Sequence, residues 1–327
     1  MIDKRILAGI FVLSTILVCI FPFAEKRRAL RQVPEQRIEQ TIQEPVEPPK
    51  PREATREEAK ASIRKEDIKS LVGYLCAFNG RKSGTAENVE ASHFIQDQFK
   101  NFGVNEQLDG FRLGNSQTQN VYGWIDGADP STCFVIGGHF DHLGPGYPGA
   151  DDNASGTSGV IMLARAFSML KGSLPKTLVF QCYSGEEAGL YGSKFYVKYP
   201  KFPKNEPNLK SHLLMINLDM IGHLNNREPK SMFNFGATGG ASDHISFYNA
   251  GVPAYFVFTG MHGRYHKPTD TPNSLDYDGM EKLLKYVYDV IWYNLDKKEK
   301  PCSFEPPVKP VSFNLDHDFS PFLTLAP

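Results

Sequence analysis

A bias of charge is the first thing missing. Lys and Arg number 36 against 37 Asp and Glu, a net charge of −1, so nothing in the balance recruits a polyanion. No stripe of Lys or Arg interleaved with aromatic residues occurs, which argues against a nucleic-acid partner. Cysteine is sparse, five in 327 residues, with no CxxC spacing. Cys133 and Cys182 fall in apolar runs, where buried free thiols are expected. No internal repeat is evident. A hydrophobic content of 41% over this length supports one large domain with extensions.

The N-terminal run "ILAGIFVLSTILVCIFPF", Ile6 to Phe23, carries no charge. As a helix it spans roughly 27 Å, about one bilayer core. A small-x-small cleavage pattern is missing, and Cys19 follows Leu17 and Val18 rather than the small residue a lipoprotein signal needs. Residues 1–24 are therefore expected to be a membrane anchor or signal segment, an uncleaved anchor being favoured. Lys26, Arg27, Arg28 and Arg31 follow, and taken alone they hold the domain on the inner side. Residues 25–61, rich in Pro, Glu and Arg, read as a linker. The main domain is expected over 62–298, and 299–327 as a Pro-rich tail.

Within the main domain the pattern alternates. "TAENVEASHFIQDQFKNFG" has helical spacing and stops at Gly103. "NVYGWIDG", "CFVIGGHFDHLG", "KTLVFQCYSG", "SHLLMINLDMIG" and "VPAYFVFTG" read as strands. "SGVIMLARAFSML", "GLYGSKFYVKY", "SDHISFYNAG" and "SLDYDGMEKLLKYVYDVIWYNL" read as helices. Apolar strands alternating with helices indicate an α/β domain with a mainly parallel sheet.

Polar residues accumulate just after these strands: His139 and Asp141, Glu186 and Glu187, Asp219, and His266. Ligands of open α/β sheets bind beyond the carboxyl ends of the strands. Imidazoles and carboxylates suit zinc, and a close pair of metals needs a shared carboxylate. The adjacent Glu186 and Glu187 can divide the work, one as ligand and one as base. "DDNASG" also looks like the start of a calcium loop, but position 162, where that loop needs a closing Glu, is Met162.

Taken in order, "GGHFDHLG", "PGADDNASGTSGV", "YSGEEAGLYGS", "NLDMIG", "SDHISFYNAGVPAYFVFTG" and "YHKPTDTP" resemble the di-zinc aminopeptidases of metallopeptidase clan MH. That family includes leucyl aminopeptidases, aminopeptidase Y and the glutaminyl cyclases. The resemblance covers about residues 66 to 296. It implies a three-layer α/β/α sandwich around a mainly parallel mixed sheet, two Zn²⁺ ions and peptide substrates. It assigns His139, Asp152 and Asp219 to one zinc and Asp152, Glu187 and His266 to the other, with Asp152 bridging. Glu186 takes the place of the general base, and Asp141 that of the residue orienting His139 through its far ring nitrogen. The Asp152–Asn153 peptide bond is expected to be cis, and Asp151 to be a loop or hydrogen-bonding residue.

The resemblance also favours a domain exported or anchored at the cell envelope. His142 and His223 are expected as wall residues or as supports behind the metal ligands, His262 as a loop or pocket residue, and Asp243 and Asp270 as hydrogen-bonding supports. Arg264, two positions before His266, is either a solvated loop residue or a contact for a substrate carboxylate. The 223–243 stretch is short, and a trimmed sheet edge there would open the pocket. The implied reaction is hydrolysis of N-terminal residues from peptides. Glutaminyl cyclisation and a non-catalytic, membrane-tethered binding domain are the alternatives.

Overall fold

The computed structural model describes residues 54–78 and 80–297. The expected anchor or signal segment at 1–24, the linker up to residue 53 and the tail at 299–327 lie outside the described residues. Among the described residues no helix is long and apolar enough to cross a membrane.

Seven strands form one sheet: β1 (Asn105–Leu113), β2 (Ser116–Ile125), β3 (Asp129–His139), β4 (Lys176–Tyr183), β5 (His212–Leu218), β6 (Phe233–Phe235) and β7 (Ala254–Val257), in the order β1-β2-β4-β3-β5-β7-β6. The central neighbours β4, β3, β5 and β7 run parallel. The β1–β2 hairpin and β6 pair antiparallel at the edges. β4 is buried from Thr177 to Tyr183, as a strand covered on both faces must be. Cys133 and Cys182 are buried free thiols.

Helices cover both faces. On one lie α2 (Lys65–Cys76), α3 (Ala86–Asn101), α4 (Gly156–Ser168) and α7 (Tyr277–Leu295), whose apolar residues merge into the larger core. On the other, α5 (Tyr191–Lys198) and α6 (His244–Asn249) cover a smaller core built on Tyr183, Tyr196 and Phe247. The three-layer α/β/α architecture is thus observed around a mixed sheet, parallel in its four central strands and antiparallel in the pairings towards both edges.

Two strands are additions to the sequence reading. β1 is mostly half-buried and polar, so it lacks an alternating signal. β6, three residues long, occupies the edge that the short 223–243 stretch leaves. One boundary is corrected. The helix α1 (Arg56–Ala61) lies inside the stretch read as linker. Thr55 and Glu58 cap it reciprocally, and its Ala59 is fully buried against the core. Its charged composition hid a short helix with a single buried face.

Candidate metal centre

The parallel strands end level with one another, His139 of β3 facing Tyr183 of β4 in register. The loops that leave these strands therefore meet at one edge. His139–His142 leave β3, Ser184–Glu187 leave β4, Asp219–His223 leave β5, and 259–266 come after β7. A turn over Ala150–Ser155, with non-helical backbone at Asp152 and Asn153, leads into α4 and carries Asp151 and Asp152.

That turn is pinned to the end of β5. The Asn153 side chain donates to Leu218 O (3.0 Å) and accepts from the Gly156 N–H (2.9 Å). Ser155 Oγ donates to Asp151 O and accepts from the Ile221 N–H. A Cβ on Gly156 would lie 2.1 Å from Leu218 O, so the contact requires glycine. The Asp152–Asn153 peptide bond is cis. Asp270 accepts from the Asp151 N–H (2.9 Å) and the Asp152 N–H (3.1 Å).

The two oxygens of Asp152 face different partners. Oδ1 lies 3.3 Å from His139 Nε2, which is also 3.4 Å from Asp219 Oδ1. Oδ2 lies 3.0 Å from His266 Nε2, which is also 3.1 Å from Glu187 Oε2. Asp219 Oδ1 and His266 Nε2 are buried without a properly directed hydrogen bond. Donor atoms at zinc distance in a tetrahedron stand roughly 3.3–3.6 Å apart, which the His139 separations match. Buried, unsatisfied and convergent donors of this kind fit a cation between them.

The electrostatics agree. Burial pushes the Glu186 carboxyl well above the ordinary carboxylate range, reinforced by Asp219, Asp243 and Asp141 against the opposing pull of His139. Burial also raises Glu187. Burial lowers the His139 imidazole, but Asp219 and Glu186 outweigh it, and the net shift is well upward. The site carries more negative charge than its histidines neutralise.

Asp141 has a broader part than orienting His139. His139 Nδ1 lies 3.1 Å from the Asp141 main-chain oxygen and 3.5 Å from its carboxylate. The carboxylate itself accepts from the Glu186 N–H (3.1 Å), the Glu187 N–H (3.4 Å) and Ser83 Oγ (2.9 Å). Ser83 carried no sequence signal. His142 Nδ1 contacts Glu187 Oε1 at 2.8 Å, so it braces that glutamate.

Asp243 is fully buried, with the Ser193 hydroxyl beside its carboxylate and no well-directed hydrogen bond to either oxygen. Burial pushes its carboxyl up to about 7. His262 Nε2 lies 3.0 Å from Asp151 Oδ2, and His262 Nδ1 accepts the Arg264 N–H, so the Nε2 proton is donated to Asp151. His223 stands 3.8 Å from the same oxygen. Arg264 is exposed and does not line the pocket beside the acids.

That pocket, about 230 Å³, is bounded by Asp152, Glu186 and Asp219 on one side. Met220, Phe256, Phe258, Met261 and Tyr265 give it an apolar lining, completed by the small residues Gly239, Gly240 and Ala241. The Tyr265 ring stacks on His266 at 3.8 Å between centroids.

The pattern of peptidase family M28 matches residues 120–239 and 225–291. The chain belongs to this family. Among curated relatives, aminopeptidase YwaD of Bacillus subtilis is 25% identical over 238 residues, 62% of this chain and 50% of that protein. Leupeptin-inactivating enzyme 1 of Streptomyces exfoliatus is 30% identical over 213 residues, 58% of this chain and 48% of that protein. These matches span about half the length of the curated relatives. Among solved structures, a zinc aminopeptidase of Bacillus subtilis superposes with a TM-score of 0.60 at 16% identity, covering 71% of this chain and 95% of that one. A glutaminyl cyclase of Porphyromonas gingivalis gives 0.58 at 16% identity, over 70% and 98%. Both share the fold of this chain.

Proposed function

We propose that this chain is a zinc-dependent exopeptidase that removes N-terminal residues from peptides. His139, Asp152 and Asp219 would hold one zinc ion, and Asp152, Glu187 and His266 a second. The observation that carries this reading is the division of Asp152, each oxygen turned to a different imidazole and carboxylate. The names of the curated relatives, aminopeptidases among them, support it.

Bound zinc supplies Lewis acidity at the scissile carbonyl and a water that ionises near neutral pH. The chain supplies the rest. Glu186, on the pocket wall beside Asp152 and Asp219, takes a proton from the attacking water and gives it to the leaving amine. Asp141 fixes the turn that carries Glu186 and faces His139 from behind. The apolar lining of Phe256, Phe258 and Met261 accepts a large apolar first side chain.

Metal analysis of the full chain, with a panel of free and N-acetylated peptides, tests this. Two zinc ions per chain and release of Leu, Met or Phe from free N-termini only are expected. Release from the C-terminus overturns the choice of peptide end, and pyroglutamate formation from Gln-peptides without hydrolysis overturns the hydrolytic reading. The apolar run Ile6–Phe23 supports a domain tethered to or exported across a membrane. Recovery of the full chain in the soluble cytoplasmic fraction overturns that placement.

A further inference from the structure

Among the described residues Arg81 is one of the largest fully buried side chains, and none of the ion pairs there joins it to a carboxylate. It donates to four main-chain carbonyls: Nε to Phe140 O (2.7 Å), Nη1 to Leu75 O (3.0 Å) and Pro148 O (2.8 Å), Nη2 to Gly149 O (2.9 Å), with the Cys76 thiol beside it. Its own carbonyl accepts the His142 N–H at 3.2 Å.

The acceptors are placed tellingly. Phe140 immediately follows His139, and Gly149 stands three positions before Asp152. One planar guanidinium thus bridges the exit of β3 and the entry to the Asp151–Asp152 turn, and ties both to the end of α2. His139 and Asp152 are the pair whose donor atoms lie 3.3 Å apart. Gly149 has φ +57, and a Cβ there would lie 2.3 Å from Asp152 O, so this corner has no slack.

We propose that Arg81 is a positioning residue of the metal centre, setting the separation of His139 from the bridging Asp152. The inference rests on the zinc reading above. Arginine suits the task because its rigid fork serves several carbonyls at once, which the three donors of a lysine on a flexible stem cannot match. Its permanent charge is tolerable because Asp141, Asp152 and Asp270 act on it from the surrounding shell.

The test separates positioning from mere stability. Zinc affinity is measured by chelator competition on folded full-length protein, well below the unfolding temperature. The variants are Arg81→Lys, Arg81→Met and, as a destabilised control, Phe99→Ala. Phe99 is buried near the end of α3, against Gly123 of β2 and Phe180 of β4. Zinc binding is expected to weaken roughly tenfold in Arg81→Lys and up to about a hundredfold in Arg81→Met, with Phe99→Ala unchanged. If Arg81→Met does not fold, Arg81→Lys against Phe99→Ala decides. Equal zinc affinity in the arginine variants and the wild type overturns the proposal while leaving the zinc reading intact. Absence of zinc binding by the wild type overturns the zinc reading itself, and Arg81 with it.

Discussion

The Asp141 carboxylate grips the main chain of both Glu186 and Glu187, so the side chain of Glu186 is free to work in the pocket. Replacing Glu186 by Gln removes the proton carrier and keeps the shape. Zinc content is expected to stay at the wild-type level, while kcat falls about a hundredfold to ten-thousandfold. Turnover within a few-fold of wild type would remove Glu186 from the proton-transfer role. The residue types of this site were legible because strand ends followed by His, Asp and Glu leave a pattern in one dimension. Arg81 was not. A buried arginine that gathers main-chain carbonyls depends on where loops fold back, and no local spacing announces it. Asp243 was named, but its complete burial is a property of the packed interior alone.

At the scale of elements, α1 shows how a polar composition can conceal an anchored helix. Arg56 lies over the Trp292 ring at 3.6 Å and pairs with Asp296 at 2.8 Å, and Tyr288 donates to Arg56 O at 2.9 Å. A chain beginning at residue 62 loses these contacts and exposes the seat of Ala59. Its urea midpoint is expected to fall relative to a chain beginning at residue 54, by about 2–4 kcal/mol of stability. Equal midpoints would return α1 to the linker. A second element-level effect concerns His212, which starts β5. Its Nδ1–H donates to Asn208 O at 2.9 Å, and its Nε2 accepts from Tyr196 on α5 at 2.7 Å. This neutral ring is buried, and burial lowers its pKa from 6.5 to about 4. The folded value lies below the unfolded one, so the stabilisation is complete above pH 6.5 and is lost as the pH falls towards 4. Between pH 7 and 4.5 the wild type is expected to lose about 2–3 kcal/mol more than His212→Gln. Parallel losses in the two proteins would remove His212 from the acid response.

At the scale of the whole molecule, a parallel sheet sends several chain crossings to one edge, and this fold fills that edge with acids. Asp141, Asp151, Asp152, Asp219 and Asp243 are all buried there, and Glu186 and Glu187 stand beside them. Without cations these carboxylates repel one another, and burial raises several of them. Zinc should therefore act as a folding ligand. At a thousandfold excess over Kd, each bound ion adds about 4 kcal/mol to the native state. For a domain of this size two ions, as proposed, would together raise Tm by roughly 10 °C or more. The same repulsion makes a sharper prediction. Asp219→Asn removes one buried charge and one ligand together. In EDTA it should melt above the wild type; in zinc it should melt below it, because one site is lost. A reversal of order between the two conditions ties the acids to metal binding. The same order in both would mean that the acids are held by protein hydrogen bonds alone.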